Sequence, residues 1–546
     1  MLFHPTFLMV FFLSILLMIK KQDKLFKCIA LASPVIVSIS FMLAQGEYSF
    51  TFYSLRLMWS FSEHNKFIGL AFLIVLLSSN IYALQQKKYY ELIFGYSYGG
   101  SLFISLLAKD FISMFVGLEL MMCISSVIIF IGNMPKSIIS AKQYFLVHFI
   151  SGTMIIIGIA YILSKTHSTE IVVITNLFNN PGYSSLILYI MFIGMVINIA
   201  AFPFSGWMVN YYKEASPSGS LYLINFTTKL SVILLIKNFI GFDLLKYIAY
   251  IMLLYAGFKA VIEDNIFALL CYLSMTSMGI IVIATALGNE VSLFTVFDYL
   301  FIHIIYKSLL CIVSATLRDN LGITLCSELS GFKNRIFSVC TAIGISLMIN
   351  MPFSMSFYNK ISLLRSFHNK HNYIVVLLAS IVTIISIPWK KFITSSEAVD
   401  LKINFYNKIS ILIISAVAVF IGFIWVFIPF SFTFLLISQA TSYFDDIIKQ
   451  LIIFILSLTI IFNLKINKKE GKSFNILTEL SKIFCYFYRP WKQNDIKKLT
   501  KKQWQLNFLE KKVLKKLHVF YNQEGAILTL IFLLIIIIYT LIFNFH

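Results

Sequence analysis

The chain has 546 residues, of which 59% are hydrophobic, 16% aromatic and only 12% charged, with a mean hydropathy of +0.86. A soluble protein of this length needs far more polar surface, so the composition excludes a soluble enzyme and marks a polytopic membrane protein. The net charge of +20 does not imply nucleic acid, because residues 465–516 alone hold 15 Lys/Arg against four acids, the pattern of a cytoplasmic face lying on anionic lipid.

Apolar runs long enough for helical spans recur along nearly the whole chain, without the alternation of a barrel. In chain order they predict spans at 4–19, 25–44, 67–84, 91–108, 111–131, 144–164, 184–201 and 217–236. The series continues at 245–262, 266–287, 292–316, 337–365 (interrupted), 373–388, 409–429, 450–464 and 525–543. The fold class is therefore all-α, with about 14–16 transmembrane helices. Cations collect in alternate loops: Lys20, Lys21, Lys24 and Lys27, Lys87 and Lys88, Lys136 and Lys142, Lys333 and Arg335, Lys390 and Lys391, then 465–516. By the positive-inside rule the N-terminus lies outside the cytoplasm. No secretory signal precedes the first apolar run, and "QGEYSFTFYSLRLMWSFSEHNK" (45–66) alternates enough for a short hairpin. The seven cysteines show no CxxC or metal spacing, which argues against disulfide, iron–sulfur and zinc sites.

Four ionisable residues lie deep in spans: Glu119 in "MFVGLELMM", Lys229 in "FTTKLSV", Lys307 in "HIIYKSLL" and Lys360 in "SFYNKISLL". His303 stands four residues before Lys307 and shares its helix face. Lys229 lies near the middle of its span, about 12–15 Å from either end, where a cation costs at least about 2.5–3.5 kcal/mol. A backbone carbonyl can satisfy a single buried lysine. Four such groups together point to an ion route, because desolvated amines and carboxyls approach neutrality and exchange protons. "FPFSGW" (202–207) and "MPFSMSF" (351–357) each interrupt a span at Pro203 and Pro352, and a buried lysine follows each break. Such pairing suggests two related halves with discontinuous helices.

The stretch "NIAAFPFSGWMVNYYKEASPSGSLYLINFTTKLSVILL" resembles the signature of the proton-translocating antiporter-like family. That family comprises the large membrane subunits of respiratory complex I and the A and D subunits of Mrp-type monovalent cation/proton antiporters. "FVGLEL", "IEDNIFALLCYLSMTSMG", "HIIYKSLL", "SELSGF" and "MPFSMSFYNK" follow in the family's order, so the resemblance covers about 90–370. "TTKLSVILLIK", "HIIYKSLL" and "CYFYRPW" (485–491) look most like D-type subunits. The resemblance implies two inverted five-helix repeats containing the broken helices, each contributing a half-channel. It divides the chain into N-terminal helices (1–90), a first repeat (91–240), a second repeat (241–390), further core helices (391–464), and a basic cytoplasmic segment with a last span (465–546).

Residue by residue, Glu119 matches the fifth-helix glutamate that modulates a neighbouring lysine, and Lys229 matches the eighth-helix lysine that relays protons along the central axis. Lys307 matches the lysine of the eleventh helix on that axis, with His303 as its histidine neighbour, and Lys360 matches the terminal proton site at the broken twelfth helix. One departure is Asn198, which stands where the family commonly has a lysine; asparagine hydrogen-bonds water but holds no proton at neutral pH.

The implied function is a proton-conducting subunit of a multi-subunit Na+/H+ antiporter: a transporter subunit, not an enzyme, with no cofactor or metal of its own. Its setting is the bacterial cytoplasmic (inner) membrane. Its partners are other membrane subunits, the bilayer, protons and Na+, and no nucleic acid. One alternative is a proton-pumping membrane subunit of an NADH:quinone oxidoreductase; another, motivated by Asn198, is a non-conducting scaffold. Among weaker signals, "GYSYGG" (95–100) reads as small-residue helix packing, and His148 as an interhelical hydrogen bond or part of a proton path. Glu263 and Asp264 are expected to face solvent at a span end. "KKQWQLNFLEKKVLKKL" (501–517), with Trp504, Leu506, Phe508 and Leu509, reads as a surface helix docking on a neighbouring subunit or on lipid.

Overall fold

The computed structural model describes residues 5–386 except 20–22, 53–54, 86–88, 133, 289–292, 330–331, 333 and 368–369, and then 401–424, 447–448, 450–455 and 457. The predicted span 525–543, the basic segment 465–516, the 501–517 helix and Lys390 and Lys391 lie outside the described residues, as do several other loop cations. The chain divides into two compact units, residues 1–49 with 57–478 and residues 50–56 with 479–546. The first unit carries the candidate site.

Its helices are α1 (Pro5–Ile19), α2 (Asp23–Leu43), α3 (Glu63–Gln85), α4 (Tyr89–Leu107), α5 (Phe111–Phe130), α6 (Ser137–Thr166), α7 (Ser185–Asn198) and α8 (Gly206–Tyr211). There follow α9 (Pro217–Phe239), α10 (Leu244–Ile262), α11 (Ile266–Leu287), α12 (Leu293–Leu321), α13 (Arg335–Met348), α14 (Met355–Ser366), α15 (Lys370–Ser386) and α16 (Phe405–Val419). The predicted hairpin forms as strands Glu47–Phe52 and Leu55–Ser60. Among the described residues nine helices are long and apolar enough to cross a membrane, and four shorter apolar helices accompany them. The protein is an integral, multi-pass membrane protein.

Polarity runs inward. Helices α9 and α12 are buried along almost their whole length and α11 nearly so, and these three carry Lys229, Ser274, His303 and Lys307 among the buried polar groups. The peripheral helices turn large apolar side chains outward, among them Ile39 and Met42 of α2 and Leu254 and Phe258 of α10. Lipid solvates such side chains as well as protein does, so the hydrophobic effect does not hold the helices together in the bilayer; close packing and interhelical hydrogen bonds do. Gly95 of the "GYSYGG" stretch shows the packing, because a Cβ there would fall 2.4 Å from the Tyr222 ring on α9.

Each interruption opens with the same helix cap; beyond it the backbones differ, with a cis Phe202–Pro203 bond in the first and a further left-handed residue, Phe353 (φ 66°), in the second. Helix α7 ends with Ala200 in the left-handed region (φ 58°), the Ala200 amide donating to the Ile197 carbonyl and the Ala201 amide to that of Val196. Helix α13 ends with Asn350 at φ 56°, the Asn350 amide donating to Leu347 and the Met351 amide to Ser346. Both endings are the paired 6→1 and 5→2 bonds of a Schellman cap, followed at once by Pro203 or Pro352, which cannot continue the helix. A non-glycine residue in this conformation is strained by about 1–3 kcal/mol, and such strain concentrates at functional sites. The Trp207 indole also donates to the Ile197 carbonyl at 2.9 Å, so that this oxygen accepts from both the cap and the helix that follows the break.

Caps set the entry of the core helices. Ser216 precedes Pro217 at the start of α9, accepts from the Gly219 amide at 2.9 Å and donates to buried Glu91 at 2.7 Å. Glu263 and Asp264 depart from the expectation of solvent exposure, since both are buried. Their burial follows from local duty: Asp264 accepts from the Ser327 amide at 2.8 Å and its hydroxyl at 2.6 Å, and Glu263 accepts from the Asn265 amide at 3.1 Å. A sequence at a span end cannot show that a second loop folds over it.

Asp110, wholly buried, caps α5 by accepting from Ser113 (2.7 Å) and ties down the hairpin by accepting from the Met58 amide (2.7 Å). Asp110→Ala leaves both amides without that acceptor and is expected to destabilise the protein by about 2–4 kcal/mol. The measurement is the thermal midpoint of the purified full chain in mild detergent, and an unchanged midpoint would contradict this role.

Candidate functional site

Lys229 sits near the middle of α9 with no exposed surface. Its ammonium donates to the Ile224 carbonyl at 2.6 Å and to Ser274 Oγ on α11 at 3.0 Å. Ser274 Oγ lies 3.4 Å from His303 Nε2 on α12, and His303 Nδ1 is 2.7 Å from the Tyr306 hydroxyl, which is 3.4 Å from Ser277 Oγ. One buried polar row thus crosses three helices, from Lys229 through Ser274 and His303 to Tyr306 and Ser277.

Lys307, one turn beyond His303, is equally buried and donates to the Leu270 carbonyl on α11. It lies close enough to act electrostatically on Lys229 and His303, with the Cys271 and Cys311 thiols beside both amines. Two cations this close in hydrocarbon repel each other, so the proton content of one depends on that of the other. His303, Lys229 and Lys307, three of the residues singled out in the sequence, are brought together.

Lys360 stands apart, on α14 just after the second break. With the Asn350 amide oriented to satisfy both its ends, Oδ1 accepts from Lys360 Nζ at 3.3 Å and the amide nitrogen donates to the Ser356 carbonyl at 3.2 Å. The left-handed residue that ends α13 therefore also holds the buried amine that follows the break.

Glu119 occupies a second cluster. It lies on α5 against Gly152 of α6, and no hydrogen-bond or ion-pair partner faces it among the described residues. It lines a small cavity with Leu118, Met121, Met122, Tyr144, His148, Asn198 and Thr227. About 20 Å³ there is open to the centres of water-sized molecules, room for one water. His148 Nδ1 is 2.8 Å from Asn198 Oδ1, and the ring packs against Tyr144 and Trp207.

Thr227 connects this cluster to the core, hydrogen-bonded to the Tyr98 hydroxyl and accepting from Tyr212 at 3.1 Å. Thr227 and Lys229 are two residues apart on α9, hence about 200° apart around it. The first faces the Glu119 cavity and the second faces Ser274. No direct hydrogen bond joins Glu119 to Lys229 among the described residues, so Lys229 belongs to the row through Ser274 and His303.

Sequence reading passed over the hydroxyls of Ser274, Tyr306, Thr227, Tyr98 and Tyr212. Ser and Tyr in a membrane helix carry no charge signal; the usable cue was position, since Ser274 and Ser277 in "YLSMTSMG" share a face one turn apart.

A methyl group placed on Gly152 would fall 2.0 Å from Glu119 Oε1. Gly152→Ala is expected to destabilise the protein by about 1–3 kcal/mol, and Glu119→Ala in the same chain is expected to relieve part of that cost. Thermal midpoints of the two single variants and the double variant check the coupling, and strictly additive effects would contradict the contact.

Comparison with known proteins places these clusters in context. The chain is 28% identical over 210 residues to NADH-quinone oxidoreductase subunit N 1 of Thermodesulfovibrio yellowstonii, covering 36% of this chain and 45% of that protein. It is 25% identical over 244 residues to NADH-quinone oxidoreductase subunit M of Rickettsia prowazekii, covering 42% and 50%. The chain spans about half the length of these curated relatives. Among solved structures, the fold matches a chain of the Mrp complex from Dietzia sp. DQ12-45-1b with a TM-score of 0.68 at 15% identity, covering 77% of this chain and 93% of that one. It matches a chain of respiratory complex I from Thermus thermophilus with a TM-score of 0.63 at 14% identity, covering 76% and 96%. The transmembrane family described as NADH:quinone oxidoreductase/Mrp antiporter matches residues 108–386, just over half the chain and the whole of both polar clusters, and the protein belongs to that family.

Proposed function

We propose that the chain is a proton-conducting membrane subunit of a multi-subunit monovalent cation (Na+)/H+ antiporter. The observation that carries the proposal is the row Lys229–Ser274–His303–Tyr306, buried across three core helices with Lys307 beside it. In this mechanism Lys229 passes a proton through the Ser274 hydroxyl to His303, and the nearness of Lys307 makes that transfer sensitive to its charge. Lys360, held at the second break by Asn350, serves as the terminal group toward the outer face, and Glu119 gates the first half. Internal water completes the steps between clusters.

The identical caps at Ala200 and Asn350 support two related repeats at 91–240 and 241–390, preceded by 1–90 and followed by 391–464 and 465–546. The proposed setting is the bacterial cytoplasmic membrane with the N-terminus outside, alongside other membrane subunits. A second reading, a proton-pumping subunit of an NADH:quinone oxidoreductase, is favoured by the names of the curated relatives. Both readings use the same row and differ in the partner chains, which copurification in mild detergent identifies.

Lys229→Ala and Lys360→Ala, each in the intact complex reconstituted into vesicles, are expected to lower proton flux about a hundredfold or more. Ser274→Ala, which removes the hydroxyl between Lys229 and His303, is expected to cost about tenfold. Flux driven by a Na+ gradient supports the antiporter, and flux driven by NADH supports the second reading. Wild-type flux in Lys229→Ala would overturn both.

A further inference from the structure

The Glu119 cluster has a partly buried acid and, with Asn198, no lysine to answer it. It does have a second proton-holding group, His148, for which the sequence left an interhelical hydrogen bond and a place in a proton path both open. His148 is buried, and its two nitrogens differ. Nδ1 is bonded to Asn198 Oδ1 at 2.8 Å; an amide oxygen only accepts, so Nδ1 carries the hydrogen in the neutral ring. The lone pair is then left on Nε2, which is buried and has no partner among the described residues. A buried acceptor without a partner is costly to maintain unless water or a proton reaches it. Both are within reach, since His148 lines the same cavity as Glu119, and that cavity has room for one water. Gly152, against which Glu119 Oε1 lies, is one helical turn beyond His148 on the same face of α6.

We propose that His148 is the proton-accepting partner of Glu119, taking the place of the absent lysine, and that Asn198 is its positioning residue. The step is a transfer through one water: the Glu119 carboxyl gives its proton to the water, and the water gives a proton to Nε2. The products are a carboxylate and an imidazolium, with the Nδ1 hydrogen kept on Asn198. The reverse transfer restores the starting state, and no other reactant is consumed. The titratable groups facing the pair are Cys123 on α5, one turn beyond Glu119, Tyr144 on α6, and Tyr98 and Tyr212 around Thr227. Among the described residues no lysine or arginine lines the cavity. A lysine at 198 would bring a donor to a position where His148 now needs an acceptor, so Asn198 and His148 form a matched pair.

This inference rests on the proton-conducting reading and is tested separately from it. The test uses the full chain in its complex, comparing wild type, Glu119→Gln, His148→Gln and the double variant His148→Gln/Asn198→Lys. Glutamine keeps a polar group against Asn198 and cannot hold a proton. In infrared difference spectra the carboxyl stretch lost in Glu119→Gln identifies Glu119. That band is expected to change position or intensity in His148→Gln at unchanged thermal midpoint, with flux down about a hundredfold and at least half restored in the double variant. An identical Glu119 band in wild type and His148→Gln overturns the proposal whatever the flux. A changed band in a complex whose flux ignores Lys229→Ala keeps this pair and removes the transport reading instead.

Discussion

An ammonium group in hydrocarbon must be given hydrogen-bond acceptors, and in this protein that requirement organises the core. Lys229 and Lys307 have three donors each and no water from bulk solvent, so they draw on what the neighbouring helices offer: the Ile224 carbonyl, the Leu270 carbonyl and Ser274 Oγ. The acceptors come from α9 itself and from α11, which forces these two helices and α12 into the bundle centre. Only helices buried on all sides can share such groups without exposing them to lipid tails. The outer helices turn apolar side chains outward and keep their polar ones, among them His148, Asn372 and Ser410, on buried faces.

A satisfied lysine is also a restrained one. Each bond that stabilises the charged amine favours keeping its proton, whereas the nearness of a second cation favours release. At Lys229 the bonds are those to the Ile224 carbonyl and Ser274 Oγ. A difference of about 1.4 kcal/mol between such interactions changes a proton occupancy ratio tenfold. In the proposed mechanism a small displacement of α12 relative to α9 shifts that balance.

Much of this was readable from residues. Charges deep in apolar runs identified Lys229, Lys307, Lys360 and Glu119, because an ionisable group is conspicuous against hydrocarbon. The prolines marked both interruptions. What the sequence did not show was which cluster each charge joins. Two residues of helix separate Thr227 from Lys229, and that offset sends one toward Glu119 and the other toward Ser274; the rotation of α9 is set by its neighbours, not by its own composition. The burial of Glu263 and Asp264 escaped for a similar reason, since the covering residues, Cys326 and Ser327, lie more than sixty positions away.

The two breaks show how one backbone device takes different side-chain cargo. Both end a helix with a left-handed residue inside a Schellman cap, and both resume after a proline. In the second, the left-handed position is Asn350, whose side chain reaches Lys360. In the first it is Ala200, which offers nothing; the polar group sits two residues earlier, at Asn198, and reaches across to His148 on another helix. Backbone geometry therefore does not determine where the titratable group stands. It determines only where each helix stops, and at each stop an asparagine, Asn198 or Asn350, carries the polar contact. One cap can therefore serve two different side-chain chemistries.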